Sequence, residues 1–180
     1  EHTWATKSYY RTVQIEALDQ QAAQRLVRIV LGSDKANEQL CNLIVQRTDG
    51  IPLFIEETIR SLVERGVMRG STGDYELTQQ LHAITIPETV QAVLASRIDR
   101  LAPAQRDLLQ TASAIGSDIQ VTLLEEIAGI KREELRTLLA DLQAADFLYQ
   151  IPNTSSFQFR FKHALTHEVA YGSLLSKRRH

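Results

Sequence analysis

A single cysteine leaves Cys41 without an intramolecular partner, which excludes a disulfide framework and any cysteine-cluster metal site. Glycine-rich phosphate loops are missing too. Neither Gly-x-x-x-x-Gly-Lys-Ser/Thr nor Gly-x-Gly-x-x-Gly occurs. Gly66, Gly70 and Gly73 have the wrong spacing and fall in a predicted hairpin. There is no nucleophile elbow, and no predicted strand ends in paired acids that could hold Mg²⁺. The chain is therefore expected to catalyse nothing by itself. No apolar run approaches the ~20 residues that cross a bilayer, so no membrane association is expected and the location reads as cytoplasmic. A net charge of −2 gives no global pull toward nucleic acid or anionic lipid. The opening Glu1-His2-Thr3-Trp4 is neither a signal peptide nor a natural start, and Lys177-Arg178-Arg179-His180 reads as a charged helix end. The sequence is expected to be a piece of something longer.

What is present is helical periodicity broken by turn residues. Thr12 to Ile15 reads as a short extended piece. Asp19 is placed to cap a helix carrying Ala22, Leu26, Ile29 and Val30, which Gly32 ends. Ser33 or Asp34 would start a second helix with Leu40, Leu43, Ile44 and Arg47, with Cys41 buried on it. Gly50 closes it, and Pro52 opens a third, Leu53 to Arg65, with Ile55, Ile59, Leu62 and Val63. A hairpin around Gly70-Ser71-Thr72-Gly73 follows, then a connector from Thr78 to Thr85. The second half predicts helices over Glu88 to Leu101, Pro103 to about Ile115, Val121 to Ala128 and Lys131 to Ala145. Two strands come next, Phe147 to Ile151 and Phe157 to Phe161, around a turn at Pro152-Asn153. In the second strand Phe157, Phe159 and Phe161 alternate with polar residues. The pattern then switches to helical spacing, with Leu165, Val169 and Gly172 on one stripe. His163 thus falls at a helix start, where unpaired backbone N–H groups favour an anion.

Several groups carry both a chemical and a plain reading. His163 and His167 stand four apart on one helix, a two-ligand metal face. A zinc-protease motif needs Glu after the first His, and Ala164 stands there, so surface histidines are the favoured reading. Glu56-Glu57 suits the positive end of a helix dipole better than paired-acid catalysis, since adjacent helical residues do not face each other. Lys131-Arg132 open the helix that a DNA-reading winged helix would use. Glu133 and Glu134 follow at once and would repel phosphate, so a solvated face is preferred.

Four segments, in order, closely resemble one family. They are Arg47-Thr48-Asp49-Gly50-Ile51-Pro52-Leu53-Phe54-Ile55-Glu56-Glu57; the run Ile86-Pro87-Glu88-Thr89-Val90 through Arg97-Ile98-Asp99-Arg100-Leu101; Ala144-Ala145-Asp146-Phe147-Leu148-Tyr149; and Phe161-Lys162-His163-Ala164-Leu165-Thr166-His167-Glu168-Val169-Ala170-Tyr171. His2-Thr3-Trp4 with Lys7-Ser8-Tyr9-Tyr10 resembles the stretch after the last core strand of the same family. The family is that of STAND-type signalling ATPases, AAA-related modules associated with bacterial class III adenylate and guanylate cyclases and with large transcriptional regulators. The resemblance implies a mainly α fold with small β-hairpins, an AAA-type helical lid over residues 1–78 and a winged-helix subdomain over 79–180. It implies a regulatory fragment of an ADP/ATP switch, which closes over nucleotide held by an ATPase core outside this chain. Implied nucleotide-binding positions are Gly50, Pro52, Lys162 and His163: the proline lines the adenine pocket, the histidine reaches the ADP phosphates, and the lysine adds charge. No tight nucleotide binding to the fragment alone is expected. Ile51 departs from the Asn common in the lid motif. The implied partners are the chain's own upstream core and downstream helical repeats, not nucleic acid. Two other readings stay open: a winged-helix nucleic-acid binder using Lys131, Arg132 and Arg136, and a ligand-free scaffold for a protein partner.

Overall fold

The computed structural model describes residues 15–32, 38–152 and 157–177. The predicted extended piece at Thr12 to Ile15 lies almost wholly outside them, as do the predicted helix start at Ser33 or Asp34 and the motif around Trp4. The fold is mainly helical with small antiparallel β-structure. The chain divides into two compact units, Glu1–Thr85 and Ile86–His180.

In the first unit, helices α1 (Gln20–Leu31), α2 (Glu38–Thr48) and α3 (Pro52–Glu64) each contact the other two. Asp19 accepts a 2.7 Å bond from the Ala22 N–H and so caps α1. The buried face of α1 is Ala23, Val27 and Leu31, one residue along from the predicted stripe, and Ile29 is 72% exposed. Leu40, Cys41 and Ile44 of α2 and Ile55, Ile59 and Leu62 of α3 complete the core. Each such aliphatic side chain contributes roughly 1.5–3 kcal/mol over its exposed state. Strands β1 (Met68–Ser71) and β2 (Asp74–Leu77) then pair, with Met68 opposite Leu77 and Ser71 opposite Asp74. The Thr78 hydroxyl donates to the Gly66 carbonyl at 2.6 Å and closes the hairpin base. The Gly73 N–H donates to the Val30 carbonyl at 2.9 Å, which ties the hairpin turn to the end of α1.

The second unit holds helices α4 (Val90–Arg100), α5 (Pro103–Ile115), α6 (Val121–Ala128), α7 (Arg132–Ala144) and α8 (Ala164–Lys177). Strands β3 (Asp118–Gln120), β4 (Leu148–Gln150) and β5 (Gln158–Phe161) form an antiparallel sheet in the order β3-β5-β4. The three-residue strand β3 was not predicted, because its only apolar residue is Ile119. Thr89 rather than Glu88 begins α4, its hydroxyl accepting from the Ala92 N–H at 3.2 Å. Strand β5 excludes Phe157, which is 66% exposed, while Phe159 and Phe161 are buried. Among the described side chains of α8 the buried positions are Thr166 and Ala170; of the predicted stripe, Leu165 and Val169 are partly buried, Val169 against the core, and Gly172 is exposed. The core joins Ile98, Leu109, Leu135, Leu142, Phe147 and Phe161, among others.

Arg97 lies within this core at 1% exposure. Its Nη2 donates to the Ala145 carbonyl at 2.8 Å, and its guanidinium carbon sits 4.6 Å from the Phe147 ring centroid. A cation therefore meets the negative end of α7 and an aromatic face together. On the opposite, exposed side, Arg160 of β5 forms a bidentate pair with Asp118 of β3, one bond at 2.8 Å. Its hydrogen bond from Arg160, aided by charge, holds the Asp118 carboxyl below the usual range.

Arg97→Ala is expected to lower unfolding free energy by about 3 kcal/mol, the scale of a charged hydrogen bond plus a cavity. Urea denaturation measures it, and a loss below about 1 kcal/mol would mean that the core absorbs the change. Because the folded carboxyl of Asp118 is depressed, its contribution is present above the unfolded value and lost as pH falls through the folded one. The stability gap between wild type and Asp118→Asn should therefore be present at neutral pH and close in strong acid.

Candidate functional site

The four positions that the resemblance implies for nucleotide fall as two pairs close in sequence, Gly50 with Pro52 in the first unit and Lys162 with His163 in the second. At the head of α3, the chain turns through Asp49 and Gly50, with φ of 49° and 69°. The Gly50 carbonyl accepts from the Leu18 N–H at 2.9 Å. A Cβ at Gly50 would lie 2.2 Å from the Leu18 carbonyl oxygen, so the missing side chain makes room for the chain's own backbone. Pro52 is the first residue of α3 and is exposed, as is the preceding Ile51 at 43%. No side chain caps this helix start. The result is an outward apolar step next to uncapped backbone donors. Glu56 and Glu57 sit beyond the first turn of α3, against the dipole-capping expectation, and Glu57 is buried and engaged.

At the junction of β5 and α8, the Lys162 N–H donates to the Phe147 carbonyl at 3.0 Å. Its ammonium lies 3.0 Å from the Asp146 carboxylate, a half-exposed pair of the kind worth about 0–1 kcal/mol. The His163 carbonyl accepts from the N–H groups of Thr166 and His167, so this residue starts α8 through its backbone. Its ring nitrogen Nε2 is buried without a hydrogen-bond partner. A buried polar atom left unpaired costs about 1–3 kcal/mol, so this nitrogen is out of the ordinary. Thr58 Oγ1 is the other such atom among the described residues.

His167 has a different task from its neighbour one turn earlier. Its Nε2 lies 2.9 Å from the Ser113 carbonyl, which can only accept, so that nitrogen carries the proton. Ser113 lies in the last turn of α5, where carbonyls lack helical partners, and His167 satisfies one of them. The ring also stands edge-on to Phe161, with centroids 5.1 Å apart, and stacks on Tyr171. It is a joint between α8 and α5. No group of His, Cys, Asp and Glu able to hold a metal occurs among the described residues. Cys41 is buried, and burial pushes its thiol up, which disfavours thiolate chemistry.

Sequence reasoning missed a groove of about 600 Å³ in the second unit. Buried Leu135, Leu139 and Phe159 form its floor, and Val121 and Thr122 of α6 line one side together with Phe157, whose carbonyl accepts from the Val121 N–H at 3.2 Å. Arg132 and Arg136 lie along its α7 side. Arg132 bonds Glu125 at 3.2 Å, which cancels that charge. The exposed ring of Phe157 was the available signal, masked because its alternation with Phe159 reads as a strand. A hollow of about 910 Å³ in the first unit is lined mainly by carboxamides, with His82 its one titratable group.

A family model described as a domain of unknown function, DUF8739, matches residues 19–69. The similarity therefore spans α1, α2, α3 and the start of β1, and includes the Gly50–Pro52 turn but not His163. No curated protein matches the chain.

Two of the glycines at positive φ, Gly50 and Gly129, separate backbone strain from collision. Gly129, at φ 63° with nothing near a would-be Cβ, should lose about 1 kcal/mol as Gly129→Ala. Gly50→Ala, which adds a clash with Leu18, should lose about 3 kcal/mol or more. Equal losses in chemical denaturation would show that the Leu18 segment gives way freely.

Proposed function

We propose that this chain is the helical-lid and winged-helix portion of a STAND-type nucleotide switch, a regulatory module and not an enzyme. The observation that carries the reading is His163, whose ring nitrogen is buried without a partner at the head of a helix that directly follows a strand. The order of the second unit adds support. Helix α5, strand β3, helices α6 and α7 and the β4–β5 hairpin, with β5 central, is the succession expected of a winged helix. The exposed Ile51–Pro52 step at the uncapped start of α3 is a surface fit for an adenine ring.

In this reading a bound nucleotide supplies phosphate charge for the two units to close upon. His163 would donate to phosphate from the start of α8, where backbone N–H groups add to the attraction. Lys162 would contribute only by exchanging Asp146 for that phosphate, a trade of one half-exposed pair for another. Pro52 would give a rigid apolar contact to the base. Gly50 acts indirectly, since its shape is required by Leu18. Replacement of ADP by ATP would release the second unit by changing these contacts, which is how a ligand shifts a domain equilibrium. The parent protein would be cytoplasmic, with an ATPase core upstream, helical repeats downstream and a cyclase or regulator as effector. A nucleic-acid reading is weaker, because Arg132 is already paired to Glu125 and Glu133 and Glu134 are exposed beside it.

The test uses a longer form of the protein that extends upstream through the expected ATPase core. After purification and denaturation, released nucleotide is resolved by chromatography for wild type and His163→Ala. ADP in the wild type and several-fold less in the variant is the expected result. Equal ADP in both would return His163 to a purely structural role, and none in either would remove the switch reading.

A further inference from the structure

The groove between α6, α7 and β5 holds none of the four nucleotide positions, so its occupancy does not depend on the chain being a nucleotide switch. Its floor is apolar, and the exposed Phe157 ring extends that surface outward beyond the sheet. Along α7 it runs from Arg132 to Gln143, about 16 Å at the helical rise, or three turns. Ala140 is exposed on this side of α7, so an occupant's backbone can approach there without obstruction. The charges are uneven. Glu125 balances Arg132, whereas exposed Arg136 has no acidic partner among the described residues. The remaining polar rim is neutral: Thr122, Gln143 and Gln150.

We propose that this groove docks an amphipathic helix of a partner protein, apolar on the inserted face and carrying a carboxylate opposite Arg136. The length matches three helical turns, the floor accepts anchors spaced i, i+3, i+4 and i+7, and one acidic group completes the charge balance. A nucleic acid would leave the apolar floor unused and meet Glu125. A small apolar acid would remain largely uncovered, because Arg136, Ala140, Gln143, Gln150 and Phe157 are all open to solvent.

The experiment is selection of displayed random peptides of roughly fourteen residues, long enough to span the groove, against the whole chain. Enriched peptides are then titrated by fluorescence anisotropy against wild type, Arg136→Glu and Ala140→Trp. Both substitutions are on exposed positions, and circular dichroism confirms that each variant folds. Enriched sequences should show apolar residues at helical spacing with Asp or Glu beside them. Their Kd should rise about tenfold with Arg136→Glu and rise with added salt. Ala140→Trp should abolish binding. The proposal is overturned if no peptide is enriched, if the enriched peptides are basic, or if both variants bind as wild type does. It is equally overturned if dodecanoate or duplex DNA, rather than peptide, binds in a manner lost with Ala140→Trp.

Discussion

The second unit depends on how the end of α7 is closed. A helix ends with carbonyls that have no partner of their own, and a buried end must find one. Here the partner comes from α4, through the Arg97 guanidinium on the Ala145 carbonyl. The same side chain lies on Phe147, so one residue fixes α4, the last turn of α7 and the residue that leads into β4. Phe147 in turn accepts from the Lys162 N–H, which sets where β5 gives way to α8. The position of His163 thus traces back, by two steps, to a buried cation four helices earlier in the chain. His167 repeats the principle at the end of α5, with an imidazole N–H in place of a guanidinium.

Much of the helical order was legible because turn chemistry is local. Asp19, Thr89, Pro52, Pro103 and Gly129 mark helix ends by rules that need no tertiary context, and those ends fall within a residue or two of their predicted places. What was not legible is which of two adjacent stripes turns inward. On α1 and α8 the buried set is displaced from the predicted one, since packing partners decide and the sequence offers apolar residues on both sides. Arg97 was missed for a related reason. It falls on the apolar stripe of α4 with Val93, Leu94 and Ile98, and a charge there reads as an interruption unless the carbonyl it serves is known. At the candidate site, the Gly50–Pro52 turn and the placement of His163 at a helix start could be read directly. The engagement of Lys162 by Asp146 could not, because Asp146 holds its place through a left-handed backbone angle that no residue pattern announced.

Three ion pairs hold charges of the second unit against one another. Arg132 meets Glu125, Arg160 meets Asp118 and Lys162 meets Asp146. Helix α7 itself carries two arginines against three acids, and β5 a single arginine. Two groups stand apart from this pairing: Arg136, which lines the groove without an acid among the described residues, and the His163 nitrogen, which is buried without a hydrogen-bond partner.

Strand β5 runs from the rim of the groove toward the second of these groups. The Phe157 carbonyl at its near end holds the N–H of Val121, where α6 begins at the groove wall, and six residues later the chain reaches His163. The four residues of β5 span about 13 Å and are braced by a neighbour on each side. Such a ribbon is stiff along its axis. The strand thus ties the rim aromatic of the groove to the head of α8 along one paired ribbon.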